Sequence, residues 1–138
     1  MEEEIIFYGH PNIRAMHEKT IELTKAKDIT LRGDCIIGVN ANKACIDLSN
    51  TIKNKLRENN SLIRISLIVD KYIYSFFGYG NSFLIIADKH DIVIRKSEFV
   101  CPRTMAIRCN KASSDIPKDL VQLLKDPKTK GILHINIE

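Results

Sequence analysis

Five side chains in the first part of the sequence carry the groups that acid–base or nucleophilic catalysis needs. His10 or His17 could carry a proton, and Glu22 or Asp34 could orient the imidazole ring. Cys35 is a candidate nucleophile if a base or a positive charge lowers the pKa of its thiol, and otherwise it is a core residue. We therefore predict a catalytic site drawn from these five residues.

The two histidines could hold a divalent metal ion only if the chain folds back between them. A separation of seven residues spans about 10 Å along a helix and about 23 Å along a strand. Only a turn at Pro11-Asn12 could bring His10 and His17 together. The segment that starts at His17 has isoleucine where the H-E-x-x-H motif of zinc proteases needs its second histidine. We predict no cofactor, and a metal at His10 and His17 is the alternative.

A motif with the pattern Asn-Lys-Ala-x-x-Asp occurs twice, at residues 42–47 and 110–115. Its aspartates are candidate N-caps of a following helix. Its lysines oppose the helix dipole, and a bound anion would resolve that conflict. The alternative is a lysine that is solvated or that pairs with the aspartate of its own motif. The ligand-binding residues predicted on this basis, together with nearby polar groups, are Asn12, Lys43, Arg103 and Lys111.

The repeat predicts an internal duplication within a single domain of two similar halves, residues 1–60 and 61–138. In both copies an apolar, strand-like run leads into the motif, and a helical stripe follows it. A pocket shared by the copies would lie where they meet. The histidines and Asp34 belong to the first copy only, so we expect the site to lie mainly in the first half.

Hydrophobic periodicity predicts an α+β fold, a largely antiparallel sheet with two helices. Helical spacing begins at Asp47 in the first half and near Pro117 in the second. Residues 17–24 alternate in a way that predicts a half-exposed strand. The other predicted strand segments are residues 3–9, 29–31, 35–39, 62–69, 72–77, 83–87, 92–95, 103–109 and 131–137.

Composition limits the class of protein. The content of 44% apolar and 28% charged residues is that of a soluble globular protein, and 138 residues can bury a core without disulfides or metal. No apolar run is long enough to span a bilayer, and the first residues are acidic, so we predict a cytoplasmic protein without a membrane partner. The four cysteines form no C-x-x-C pair, which excludes zinc ribbons and thioredoxin motifs.

Five of the nine aromatic residues lie between Tyr72 and Tyr79. Tyr72, Tyr74 and Phe76 share one face of a strand and could stack on unpaired RNA bases. No basic residues interleave with them, which favours a place in the core. The net charge of +4 permits RNA or a small anion without requiring either.

Five segments resemble an archaeal family of small proteins classed as a domain of unknown function, number 371. The segments, which spread over nearly the whole chain, are residues 9–13, 17–20, 33–39, 103–104 and 110–112. The resemblance implies an archaeal, cytosolic setting and brings no established activity.

These observations favour a cytoplasmic protein or enzyme that binds a small anionic ligand in a polar site. Two alternatives stay open. One is an RNA-associated binding module. The other is a structural protein in which exposed sheet edges pair two subunits into a homo-oligomer.

Overall fold

A computed structural model describes residues 1–138, which form eight strands and two α-helices. The helices are α1 (Asn50–Leu56) and α2 (Lys118–Leu124), and a 3₁₀ turn precedes each of them, at Cys45–Asp47 and Ser113–Asp115. These elements confirm the predicted α+β class. The strands are β1 (Glu2–Tyr8), β2 (Thr20–Thr24), β3 (Ile36–Gly38), β4 (Leu62–Val69), β5 (Tyr72–Tyr79), β6 (Asp91–Arg95), β7 (Thr104–Ala106) and β8 (Lys130–Ile137).

The strands form two sheets of four. Sheet A has the order β1-β8-β4-β5 and is antiparallel throughout. Sheet B has the order β3-β2-β6-β7, with an antiparallel pair at its centre and a parallel partner on each side. The edges of the sheets meet at two bridges, Tyr8 with Val39 and Tyr79 with Ile107. The two sheets are therefore joined on both sides in the manner of a flattened barrel.

Apolar side chains from both sheets fill the space between them. Along β4 the buried Ile63, Ile65 and Leu67 alternate with the exposed Leu62 and Arg64, because successive side chains of a strand point to opposite faces. Each helix adds two fully or nearly fully buried side chains to the same core. Neither seven-residue helix is long and apolar enough to cross a membrane.

The order of elements in the first part of the chain recurs in the second. Three strands, a 3₁₀ turn, a helix and a strand run from β1 to β4, and the same series runs from β5 to β8. The recurrence divides the chain at Asp70-Lys71, later than the boundary near residue 60 that the sequence predicted. The internal duplication itself stays a prediction from the repeated motif.

Three predicted strands differ from the structure, and one of them, residues 29–31, lies in the loop between β2 and β3. The strand predicted as half-exposed over residues 17–24 begins at Thr20, and all five residues of β2 are buried. Residues 83–87 form a loop, in which Ile86 has a φ of 51° that a strand cannot accommodate. The alternation of apolar residues in this segment reflects the burial of Leu84 and Ile86 within a loop, and not the pairing of a strand.

Helix α1 begins later than the predicted Asp47, whereas α2 begins at Lys118, next to the predicted Pro117. Ser49 is the N-cap of α1, and its hydroxyl accepts the Ile52 N–H, whereas Pro117 precedes α2. Asp47 and Asp115 instead close the 3₁₀ turns, where each carboxylate accepts the backbone N–H of the residue three positions earlier. Two residues in extended conformation or at the N-cap, Leu48-Ser49 and Ile116-Pro117, separate each aspartate from its helix.

Candidate anion-binding cleft

The asparagines of the repeated motif complete the edges of sheet A. Asn42 accepts the Ile6 N–H at its side-chain oxygen and donates its own backbone N–H to the Ile6 carbonyl, both at 2.9 Å. Asn110 makes the same two contacts with Phe77 of β5, at 2.9 and 3.0 Å. Backbone groups that an edge strand would leave unpaired are thereby satisfied.

The aspartates of the motif each hold a lysine from outside it. Asp47 lies 2.6 Å from the Lys25 ammonium, and Asp115 lies 3.0 Å from that of Lys96. The backbone hydrogen bond first, and then the lysine, lower the pKa of both aspartates below the ordinary value. Lys25 and Lys96 each immediately follow the second strand of their half, so the two ion pairs correspond.

The lysines of the motif do not meet at a common site. Lys43 forms an ion pair of 3.0 Å with Glu3, and Lys111 lies partly exposed beside its own half's Asp115. The structure therefore assigns Lys43 a partner within the fold. Both lysines were predicted to bind ligand, and both lie outside the cleft described next.

A cleft of about 540 Å³ opens on the outer face of sheet B. It lies over the central strands β2 and β6, where Glu22 pairs in register with Val93 and Thr20 with Arg95. Five lining residues come from each half, so the cleft spans their junction and is not confined to the first half. The lining is His17, Lys19, Thr20, Glu22, Cys35, Val93, Arg95, Lys96, Ser97 and Arg103.

Four of the predicted site residues meet in this cleft: His17, Glu22, Cys35 and Arg103. Cys35 and Arg103 occupy corresponding places in the two halves, and a residue of a 3₁₀ turn bonds the backbone carbonyl of each. The fully buried Ser113 hydroxyl lies 2.8 Å from the Thr20 carbonyl and 2.9 Å from that of Cys35. In the other half the Cys45 thiol donates to the Arg103 carbonyl at 3.2 Å.

Three other predicted residues lie outside the cleft and organise a neighbouring loop. The His10 ring contacts Asp28 at 2.6 Å, and the Asn12 side chain donates to the Ile29 carbonyl at 2.8 Å. Asp34 faces Arg14 at 3.8 Å, and its backbone carbonyl accepts the His17 N–H. The first two contacts connect the segment after β1 to the segment after β2.

The two histidines do not converge on a metal position. His10 contacts Asp28, whereas His17 lines the cleft. No three histidine, cysteine, aspartate or glutamate side chains are grouped in a way that could hold a metal ion. A turn lies at Pro11-Asn12, where the Ile13 N–H donates to the His10 carbonyl at 3.1 Å, and it connects Asn12 to the segment after β2.

His17 closes a turn and presents one N–H group. Its Nδ1 atom accepts the N–H groups of the residues two and three positions later, each at 3.1 Å. The neutral ring therefore carries its proton on Nε2, which makes the outward nitrogen a donor. Asp88, three residues before β6 as His17 is before β2, caps its turn in the same way. His17 thus fits ligand binding better than the role of general base.

Glu22 is the one carboxyl group in the cleft lining. Burial, reinforced by Asp91, raises the pKa of this carboxyl, and Arg103 at 3.6 Å and the Cys35 thiol at 3.6 Å oppose the shift. A raised pKa suits a carboxyl group that exchanges a proton with a bound molecule.

Replacement of Glu22 by glutamine is expected to raise the free energy of unfolding at pH 7. Because the pKa of Glu22 is raised on folding, the native state binds the proton more tightly than the unfolded chain, and stability declines as the pH rises through the native pKa. Glutamine removes the buried charge, and Arg103 keeps Asp91 as its partner at 3.3 Å. Urea denaturation between about pH 4 and pH 8 measures the change.

The exposed Glu98 provides the control, since Glu98→Gln removes a carboxylate without relieving burial. Its stability should stay within about 0.5 kcal/mol of wild type. A Glu22→Gln variant that is less stable than wild type at pH 7 and equally stable at pH 4 would contradict the role of burial.

Cys35 does not meet the condition for a nucleophile. Burial first, and the Glu22 carboxylate second, raise the pKa of its thiol to about 11. The thiol instead donates to Glu22. Cys35 is therefore a neutral group of the cleft floor at physiological pH.

Sequence reasoning missed Cys101, a partly exposed thiol beside the cleft. Burial opposes its ionisation, but hydrogen bonds from Thr104, the Arg103 backbone and Arg95 lower the pKa of the thiol to about 7. The Arg95 guanidinium, which also lines the cleft, lies 3.4 Å from the sulfur. No local motif indicates this contact, which the Thr104 hydroxyl of β7 supports by accepting hydrogen bonds from Arg95 and from the Cys101 N–H.

Fold and cleft together define a small α+β protein whose two similar halves share a cation-rich cleft. The chain belongs to the family described as a domain of unknown function (DUF371), whose model matches residues 5–138. The chain is also 40% identical over 120 residues to an uncharacterized protein of Methanocaldococcus jannaschii, MJ0206. That match covers 87% of this chain and 88% of its relative.

Proposed function

We propose that the protein binds a small anionic ligand in the cleft at the junction of its halves. One observation carries the proposal: four cationic side chains and a single carboxyl group line the cleft. Arg103 and Lys96 are partly neutralised by carboxylates, and Arg95 donates to the Thr104 hydroxyl and the Cys101 sulfur, whereas Lys19 forms no salt bridge. A cleft that leaves cations uncompensated attracts an anion.

The polar groups suit a ligand that carries a phosphate or carboxylate. Arg95 and Arg103 can each offer two parallel N–H donors to such a group. The His17 ring adds a neutral donor, and Glu22 below them can accept or donate a proton. The protein could act through binding alone, and in an enzyme Glu22 would serve as the general acid or base.

The aromatic stripe gives less support to an RNA-binding module. Phe76 is 1% exposed and belongs to the core, and the Tyr74 hydroxyl donates to the Asp115 carbonyl. Only Tyr72 of the three is substantially exposed. The volume of the cleft, within the range of small-molecule sites, favours a small ligand over a polynucleotide.

Titration with inorganic phosphate and with citrate, followed by amide NMR spectra, tests the proposal. We expect the amide signals of Thr20, Arg95 and Ser97 to shift in a saturable way. Lys96→Ala removes one charge-assisted contact and should weaken binding by about tenfold.

Lys25→Ala is the matched control, because Lys25 holds Asp47 as Lys96 holds Asp115 but does not line the cleft. It should bind both anions as wild type does. The proposal fails if neither anion shifts these signals, or if the two lysine variants bind equally weakly.

A further inference from the structure

The outer face of sheet A carries a row of four isoleucines. Ile6, Ile132, Ile68 and Ile73 lie directly opposite one another across β1, β8, β4 and β5. None of them belongs to the core, and Ile73 is 70% exposed. Such a continuous apolar row on an outer face is typical of an interaction surface.

Charge is distributed unequally along this face. Two polar rows run beside the isoleucines, and each has an acidic residue, Glu2 or Glu4, on β1. On the same face, towards the β5 edge, β4 carries Arg64, whose guanidinium lies over the Phe77 ring at 5.6 Å from its centre. In register order the rows are Glu4, His134, Ser66, Ser75 and Glu2, Asn136, Arg64, Phe77.

We propose that this face binds a second copy of the chain around a two-fold axis parallel to the strands. That axis places β1 of one copy over β5 of the other, so the isoleucine rows meet along their length. It also brings Glu2 of each copy to the Arg64 and Phe77 side of the other. An axis across the strands, along the isoleucine row, would place Glu4 of one copy over Tyr8 of the other and Glu2 beyond it, so neither carboxylate would meet Arg64.

The sheet edges are poorer sites for self-association than this face. Tyr8 and Tyr79 already bridge to sheet B, and Asn42 and Asn110 bond the neighbouring edge residues. Pairing through an edge would have to break these contacts. Pairing through the face of sheet A breaks none of them and leaves the cleft on sheet B open.

Sedimentation equilibrium over a range of protein concentrations tests the proposal. We expect the wild-type protein to be a dimer. Ile73→Lys should raise the dimer dissociation constant at least tenfold, because it buries a charge at the apolar row. Phe83→Lys is the matched control, since Phe83 is 78% exposed in a loop away from this face, and it should leave the mass unchanged.

Charge reversal tests the direction of the axis. Arg64→Glu should weaken the dimer, and the double variant Glu2→Arg with Arg64→Glu should restore it, while far-UV circular dichroism confirms the fold of each variant. A monomeric wild type, or equal masses for Ile73→Lys and Phe83→Lys, overturns the dimer. A double variant no stronger than Arg64→Glu overturns this axis. Lys96→Ala, which tests the cleft, should leave the mass unchanged.

Discussion

Iodoacetamide at pH 7 is expected to modify Cys101 about a hundredfold faster than any other cysteine of the native protein. The thiolate is the reactive form, and the pKa of Cys101 is lowered to about 7. Burial raises the pKa of Cys35 to about 11 and those of Cys45 and Cys109 to about 12. The lower intrinsic nucleophilicity of a more acidic thiolate offsets only part of this difference in ionisation.

Mass spectrometry of timed digests measures the four rates separately. Arg95→Gln should slow alkylation of Cys101 several-fold, because it removes the guanidinium that lies 3.4 Å from the sulfur. Arg108→Gln, which changes an exposed arginine stacked on Tyr79, should leave the rate unaltered. In strong denaturant all four rates should converge. Faster modification of Cys35 or Cys45 in the native state would contradict the assigned ionisation.

Alkylation also reports on the proposed ligand. Arg95 both lines the cleft and contacts Cys101, so an anion that binds Arg95 should change the rate at Cys101. Phosphate or citrate at saturating concentration is therefore expected to slow the modification. The buried Cys109 gives the reference, because it lies in the core.

Replacement of either Gly9 or Gly80 by alanine is expected to destabilise the fold by about 3 kcal/mol. A Cβ atom at Gly80 would overlap the carbonyl oxygen of Leu56, and one at Gly9 would overlap those of Leu124 and Asp126. These oxygens belong to backbone at the helix C-termini. They cannot move aside easily, because hydrogen bonds hold the same segments, including those from Asn81 to Leu56 and from His10 to Leu124.

Urea denaturation measures the loss, and Gly33→Ala is the control. At Gly33 an added Cβ meets only the flexible end of the Ile36 side chain, so we expect a change below about 1 kcal/mol. Similar losses at Gly9 and Gly80 would follow from their equivalent places, each directly after the first strand of its half. If both variants stay within about 1 kcal/mol of wild type, close contact with the helix ends does not restrict these positions.

Much of the fold could be predicted, because strand alternation and helical spacing depend on residues that are close together in the sequence. The alternation over residues 62–69 has the same bounds as β4, and the helical stripe that contains Ile52 and Leu56 matches α1. The repeated motif was placed correctly between a strand and a helix. The sequence predicted that the lysines of the motif bind a ligand. It could not reveal the ion pair between Lys43 and Glu3, because these residues are too distant in sequence for a local pattern to connect them.

Only the part of the site whose residues are close together in sequence could be predicted. His17, Glu22 and Cys35 lie close together in sequence, and a local reading grouped them. Arg95 and Lys96 reach them only because β6 pairs with β2. Strand pairing of that range leaves no local periodicity, so these residues carried no signal of their own.

By itself the sequence determined the α+β class, the repeated motif and the family to which the chain belongs. Only the tertiary structure decided that the asparagines and aspartates of the motif hold the fold together, and that the cleft joins both halves. The physical reason is that a period of two residues indicates which face of a strand is apolar. It does not indicate which strand lies beside it or what charge that neighbour brings.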